Sequence, residues 1–313
     1  MMFYKFMLIL AIFAANIPAN KGLISCTKSV IFTKYGFRPM SAEDTTILTT
    51  KAGSATQCTQ FCLSHVQCQS IVYHDVTRLC ELLSSLKQHD HKNTETGHVQ
   101  YNINYQLSDC SDLLKIGVGF HSGIYIIYPK GENNPRPVYC DMETDDGGWT
   151  VIQRRRDIIV DFNQPWEEFK NGFGNLCGDM WIGNQFLHEV TTSGEFKLRL
   201  DLEGIDGNTY HVTHNSFKIL DESQDFKLNI GEIIDGNAGG VFNTAVDMRF
   251  STKDRDNDLH NRLSCANDYR SGWWYKKCFI CLPNGRVDVN FNCKINDKKL
   301  EMKMAEMKIK NYG

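Results

Sequence analysis

Between residues 254 and 258 the chain reads Asp-Arg-Asp-Asn-Asp. Asp254, Asp256 and Asp258 alternate with Arg255 and Asn257 in a stretch too polar for a core, and hard carboxylate oxygens suit Ca2+. An EF-hand is excluded. That loop needs Gly at its sixth position and an acid at its twelfth, where this chain has Leu259 and Cys265. Spacing alone is equally compatible with a solvated acidic loop. The 12 cysteines are the second chemical feature: they would be a liability in a reducing cytosol and are expected where disulfides persist. Cys278-x2-Cys281 has the spacing of a redox pair, but a redox thiol sits at a helix N-terminus after a strand. Here Trp273-Trp274-Tyr275 precede it and Pro283-Asn284-Gly285 form a turn. Catalytic patterns are missing. There is no G-x-S-x-G elbow, no H-E-x-x-H and no phosphate loop, and Gly117-x-Gly119 followed by Ser122 fails the dinucleotide pattern. The 10 histidines are scattered without ligand spacing, so an enzyme is not expected.

These residues must be carried by ordinary folded domains. With 313 residues, and about 150 per domain as a guide, two domains are expected. Apolar residues at 42% and charged residues at 23% exclude wholesale disorder, collagen and coiled coil. Lys plus Arg 34 against Asp plus Glu 37 gives a net charge of -3, which disfavours nucleic acid as a partner. Lys5, the apolar run Phe6 to Ala15, then Pro18, Ala19 and Asn20-Lys21 follow the order of a signal peptide over residues 1–20, with an N-terminal anchor as the competing reading. The run is too short to span a bilayer, which takes about 20 apolar residues. The mature protein is therefore expected to be secreted, extracellular and not membrane-spanning.

Cysteine spacing and aromatic usage change near residue 105, before which there is no Trp and after which come all 5. This places domains at 23–105 and 106–313, the second carrying a net -6. In the first, Ser54 can cap a helix with Cys58, Phe61, Cys62 and His65 at i, i+3, i+4 and i+7. Gln69 to His74 and Leu79 to Leu82 read as strands joined by a turn around Asp75. Two thiols on a helix face over strands carrying two more invite two disulfides; zinc would use paired C-x2-C knuckles, which are absent. At the other end, Leu300, Met302 and Met304, then Met307 and Ile309, alternate as a half-buried strand.

Cys58-x3-Cys62-x5-Cys68, an aromatic strand and Cys80-x-Leu82 resemble the PAN/apple module. The resemblance implies a helix held in a small antiparallel sheet, with Cys58 bonded to Cys80 and Cys62 to Cys68. Apple modules commonly add a bond joining their ends. Here Cys26 is present but no cysteine appears near residue 100.

The second domain carries Asp109-Cys110-Ser111-Asp112, Gly123-Ile124-Tyr125, Val138-Tyr139-Cys140-Asp141 and Gly147-Gly148-Trp149-Thr150 in that order. Trp181-Ile182-Gly183-Asn184, the aspartate stretch, Cys265-Ala266 and Gly272-Trp273-Trp274-Tyr275 follow. This series resembles the fibrinogen C-terminal domain. Together the two resemblances imply an α+β chain: a small disulfide-rich PAN/apple module, then a fibrinogen C-terminal domain with a central antiparallel sheet and a shortened C-terminal loop subdomain. They also imply bonds between Cys110 and Cys140 and between Cys265 and Cys278.

The resemblance further implies a Ca2+ site made by the carboxylates of Asp256 and Asp258 and the carbonyls of His260 and Arg262. In the lectin-like relatives, ficolins and tachylectins, an adjoining pocket takes acetyl groups of N-acetylated sugars. Carried over, it places Tyr269 on the pocket wall beside Lys277, Cys278 and Phe279, with a cis bond at Lys277-Cys278. A structural role for Tyr269 and Phe279 is the competing reading. The segment after Cys278 is shorter than in the family, and Cys281 is expected to pair with Cys293, stapling it. Cys26 and Cys177 are left to bridge the two domains or to link subunits of a homo-oligomer. The expected function is calcium-dependent recognition of glycans or acetylated groups in innate defence or cell-surface binding. The alternative is an adhesion or signalling ligand for a cell-surface receptor protein.

Overall fold

Ser54 accepts a hydrogen bond from the Gln57 backbone N–H through its hydroxyl and so starts helix α1, Ala55–Leu63. The computed structural model describes residues 46–65, 68, 70–74, 76–83, 98–102, 107–116, 121–129, 135–157, 159–286 and 289–313. The expected leader at 1–20, Cys26 and the turn at Asp75 lie outside the described residues. Helix α1 packs on a four-stranded antiparallel sheet of β1 (Thr46–Lys51), β2 (Ser70–His74), β3 (Leu79–Leu83) and β4 (His98–Asn102), in the order β1-β3-β2-β4. Alternation along the strands buries Ile71, Tyr73, Cys80 and Leu82 under the helix, where Cys58 and Cys62 also lie. Disulfides join Cys58 to Cys80 and Cys62 to Cys68.

The second unit begins with α2 (Asp112–Ile116), β5 (Gly123–Ile127), β6 (Arg136–Asp141) and β7 (Trp149–Arg155). Then come α3 (Trp166–Asn171), the short strands β8 (Phe173–Gly174) and β9 (Met180–Trp181), and α4 (Asn184–Thr192). After these are β10 (Phe196–Gly204), β11 (Thr209–His214), β12 (Phe217–Ile219), β13 (Leu228–Ile230) and β14 (Ile233–Gly236). Helix α5 (Cys265–Tyr269), β15 (Asn292–Ile295) and β16 (Lys298–Asn311) complete it. The chain is thus α+β, with a central antiparallel sheet in the order β14-β11-β10-β16-β7-β6-β5.

The last strand in sequence lies in the middle of that sheet, between β10 and β7. Its burial changes phase as its sequence does: Met302 is buried on one side of the change, and Ala305, Met307 and Ile309 on the other. The register against β10 skips Lys303, pairing Glu203 with Met304 and Gly204 with Met302, and one extra residue is what turns the other set of side chains inward.

The two units touch. Gln60 on α1 is buried and donates through Nε2 to the carbonyl of His121 at 3.2 Å, just before the edge strand β5. Leu63 belongs to the fibrinogen-side core rather than to its own module's. A helix laid over a sheet edge also shields that edge from other strands.

Candidate functional site

Each aspartate of the stretch has a different task. Asp254 faces away from the loop: its Oδ1 accepts from the Trp166 backbone N–H at 2.9 Å and from the Thr252 hydroxyl at 2.7 Å, tying the loop to the start of α3. Arg255 lies over the Trp166 ring at 3.9 Å and pairs with Asp225. Asn257 is anchored inward, its amide donating to the Phe250 carbonyl at 2.7 Å. Asp258 folds the segment that follows, because Oδ1 accepts from His260 N–H at 2.6 Å and Oδ2 from Cys265 N–H at 2.7 Å. Asp256 accepts from the Asp258 N–H at 3.3 Å, and burial together with the Asp258 charge holds its carboxyl above the usual range.

That repulsion is what a hard cation would relieve, so the donor chemistry fits Ca2+. Among the described residues no group of three or more His, Cys, Asp or Glu side chains is arranged to hold a metal. An ion here would draw its other ligands from backbone carbonyls and water. His260 and Arg262 are close in the chain and joined to each other, the Arg262 N–H meeting His260 Nδ1 at 3.3 Å. Asp256 and Asp258 also line a concavity of about 560 Å3 with Lys227, Asp247 and Arg249, three residues that no sequence signal singled out.

The pocket residues are brought together. Tyr269, Lys277, Cys278 and Phe279 all line one cavity of about 450 Å3. The Tyr269 and Phe279 rings meet edge to face, centroids 4.8 Å apart, and make an apolar wall. Helix α5 carries Tyr269, and the Cys265–Cys278 disulfide joins its first residue to the opposite side of the cavity. The expected cis bond is corrected: among the described residues every peptide bond is trans, and Cys278 instead takes φ 68°, with the Lys276 N–H donating to its carbonyl at 3.1 Å. A left-handed residue turns the chain where the sequence reading asked an isomer to do so.

The shortened segment is pinned from below. Cys281 and Cys293 are bonded and form a bridge between residues 280–282 and β15. Fully buried Asn284 donates to the Gly272 carbonyl at 3.0 Å, accepts from Gln153 Nε2 at 3.1 Å, and its own carbonyl accepts from the Ser271 hydroxyl at 2.9 Å. Gly285 follows; a Cβ there would sit 2.8 Å from the Asn290 carbonyl, so the turn needs glycine. Asn290 in turn donates to the Tyr269 carbonyl at 2.6 Å, linking the segment to the aromatic wall. Disulfides also join Cys110 to Cys140, and Cys177 is disulfide-bonded.

Residues 106–312 match the family described as fibrinogen beta and gamma chains, C-terminal globular domain, and residues 29–110 match the PAN domain. The chain belongs to the fibrinogen-related family. Ryncolin-4 from Cerberus rynchops is 41% identical over 180 residues, covering 58% of this chain and 51% of that one. Fibrinogen-like protein A from Apostichopus parvimensis is 42% identical over 183 residues, covering 57% and 64%. The chain thus spans between about half and two thirds of the length of these relatives.

Solved fibrinogen-like folds match about two thirds of the chain. The fibrinogen-like globe domain of human ANGPTL2 matches with TM-score 0.61 at 33% identity, over 66% of this chain and 100% of its own. Lamprey fibrin D-dimer, complexed with the peptide Gly-His-Arg-Pro-amide, matches with TM-score 0.59 at 31% identity, over 66% of this chain and 74% of that one. The chain thus joins a PAN domain to a fibrinogen-related domain. Among its described residues no helix is long and apolar enough to cross a membrane.

Proposed function

We propose that this fibrinogen-related chain is a secreted, calcium-dependent recognition protein that binds glycans or acetylated groups through the cavity around Tyr269, Lys277, Cys278 and Phe279. One observation carries the reading: the four residues bound a single concavity of about 450 Å3, and the aspartate loop is tied directly to its wall, Leu259 N–H donating to the Lys276 carbonyl at 2.7 Å. An acetyl methyl needs an apolar wall, which the Tyr269 and Phe279 rings supply, and its carbonyl needs a donor at the rim. Ca2+ held by Asp256 and Asp258, with the carbonyls of His260 and Arg262, would fix the loop and through it the Lys276–Cys278 turn. The chain's own groups position and bind; no bond is made or broken. The disulfide framework suits an oxidising extracellular setting.

The test is retention on a resin bearing N-acetylglucosamine at millimolar Ca2+. Elution by chelator and loss of retention in Asp256→Ala are expected. No retention at millimolar Ca2+ overturns the reading in favour of protein recognition. That second reading, an adhesion or signalling ligand for a receptor protein, draws on the lamprey fibrin relative holding a peptide and on the second surface that the PAN domain adds.

A further inference from the structure

The cavity has a further side beyond Tyr269, Lys277, Cys278 and Phe279. Lys294 and Lys299 line it from the β15–β16 hairpin, together with Lys277. The hairpin reaches this position because the segment is short. The Cys281–Cys293 bond and the Lys294 N–H to Ile280 carbonyl hydrogen bond, 2.9 Å, dock β15 against residues 280–282. A two-residue turn closes the hairpin, with Asn296 and Asp297 both at positive φ, 49° and 63°.

The register sets Lys294 directly across from Lys299. Like charges directly opposite on neighbouring strands destabilise a sheet. Asp297 relieves one of them, its carboxylate 2.9 Å from Lys294 Nζ. Among the described residues neither Lys277 nor Lys299 has an ion-pair partner. Three lysines therefore converge on one concavity in a domain whose net charge is -6. Asp297 lines the same cavity and offsets Lys294, which leaves Lys277 and Lys299 as two unpaired cations against the sign of the domain, a focused field for the opposite charge.

We infer that this cavity selects acetylated sugars that also carry an anionic oxygen group, a carboxylate or a sulfate ester, held by Lys277 and Lys299 while Tyr269 and Phe279 take the apolar part. The inference rests on the acetyl-sugar reading above and adds the charge of the ligand. The aromatic wall and the lysines lie on different elements, α5 and residues 277–279 against the hairpin, so one sugar ring can touch both.

The test is equilibrium binding, at low and at physiological salt, of N-acetylneuraminic acid and its methyl ester, and of N-acetylglucosamine and its 6-sulfate. At least one anion should bind about fivefold or more tightly than its neutral counterpart, the preference shrinking with salt. Which anion it is distinguishes carboxylate from sulfate. In Lys299→Gln, which leaves Tyr269, Lys277, Cys278 and Phe279 in place, the neutral sugars should bind as before and the preference should fall to about twofold or less. Thermal melting of that variant checks that it is folded, and the acid-against-ester comparison in the unaltered protein needs no variant at all. Equal binding of charged and neutral forms overturns the anionic selection and leaves the acetyl-sugar reading standing. Failure of all four to bind overturns both.

Discussion

Leu259 donates its backbone N–H to the carbonyl of Lys276 at 2.7 Å, so the aspartate loop and the pocket rim are one hydrogen-bonded unit. Anything that orders the first residue's loop acts on the second residue's turn without a conformational relay. Asp258 strengthens the tie from the same loop by accepting from Cys265 N–H, and Cys265 is bonded to Cys278 in the rim.

Calcium should therefore stabilise the fold and the pocket together. At a free concentration about a hundredfold above Kd, a ligand bound only by the folded state adds about 2.7 kcal/mol. Calorimetry with calcium and with chelator should show the melting temperature rise, and Asp256→Ala should abolish the rise. Asp258→Ala should in addition lower the chelated melting temperature, because two backbone N–H groups lose their acceptor. An unchanged melting temperature in calcium would leave the loop a solvated one.

Acid should unfold the fibrinogen-related domain through Lys308. Its ammonium is buried on β16 and contacts Asp141 at 2.6 Å, Asp201 at 2.9 Å and Glu306 at 2.9 Å. Burial alone would raise the Asp141 and Glu306 carboxyls, but Lys308, with Arg154 beside Glu306, holds both below the usual carboxylate range. Depressed carboxylates contribute stability above their unfolded value of about 4, and that contribution is lost as pH falls through the folded values. Burial would lower the Lys308 pKa, and the surrounding carboxylates raise it instead, so its contribution persists through neutral pH and fades only at the strongly alkaline end. Urea midpoints should be level between about pH 6 and 9 and drop steeply below about pH 4. Lys308→Ala, which strands the carboxylates, should cost about 3–5 kcal/mol at pH 7. A midpoint that does not change between pH 3 and 7 would contradict the network.

Asn284→Ala should loosen the segment under the pocket. It removes the donor to Gly272 and the acceptor of Gln153 in a fully buried place, a loss of about 2–3 kcal/mol in chemical denaturation. The Cys281→Ser/Cys293→Ser variant opens a loop of sequence separation 12 and should cost about 2–3 kcal/mol. Either variant should weaken sugar binding more than calcium binding. Equal loss of both would mean that the segment supports the domain as a whole.

The PAN module and the fibrinogen-related domain should unfold together. Leu63 sits at 7% exposure within the larger core, and Gln60 is hydrogen-bonded to His121. Leu63→Asp, which puts a charge into that core, should split a single calorimetric transition into two, or lower it sharply. A wild-type protein that already shows two independent transitions would refute the coupling.

Much of the site was legible before any fold was known. Ser54 with Cys58 and Cys62 at helical spacing marked α1, and the alternation of Leu300, Met302, Met304, Met307 and Ile309 marked a half-buried strand, though not its bulge. The polar Asp256–Asp258 stretch marked an exposed acidic loop, which spacing alone allowed to be either solvated or cation-binding. Lys294 and Lys299 were not legible as pocket residues, although Asn296-Asp297 between two strand-like runs is a hairpin signal that would have set them opposite each other. Lys308 is one of several lysines that alternate with apolar residues along the last strand. Nothing local distinguishes it from Lys303 or Lys310, because its partners Asp141 and Asp201 come from strands far away in sequence.

By itself, then, the sequence determined helix α1, strands β2, β3 and β16 and the family, since capping, periodicity and motif order are properties of neighbouring residues. Only the tertiary structure decided that Lys294 and Lys299 join Tyr269, Lys277 and Phe279 in one cavity, that Cys278 turns through a left-handed φ, and that Lys308 is buried among acids. Those are relations between residues tens to hundreds of positions apart. They exist because β16 is threaded between β7 and β10, and because the Cys281–Cys293 bond docks β15 against residues 280–282, where packing rather than local preference sets the distances.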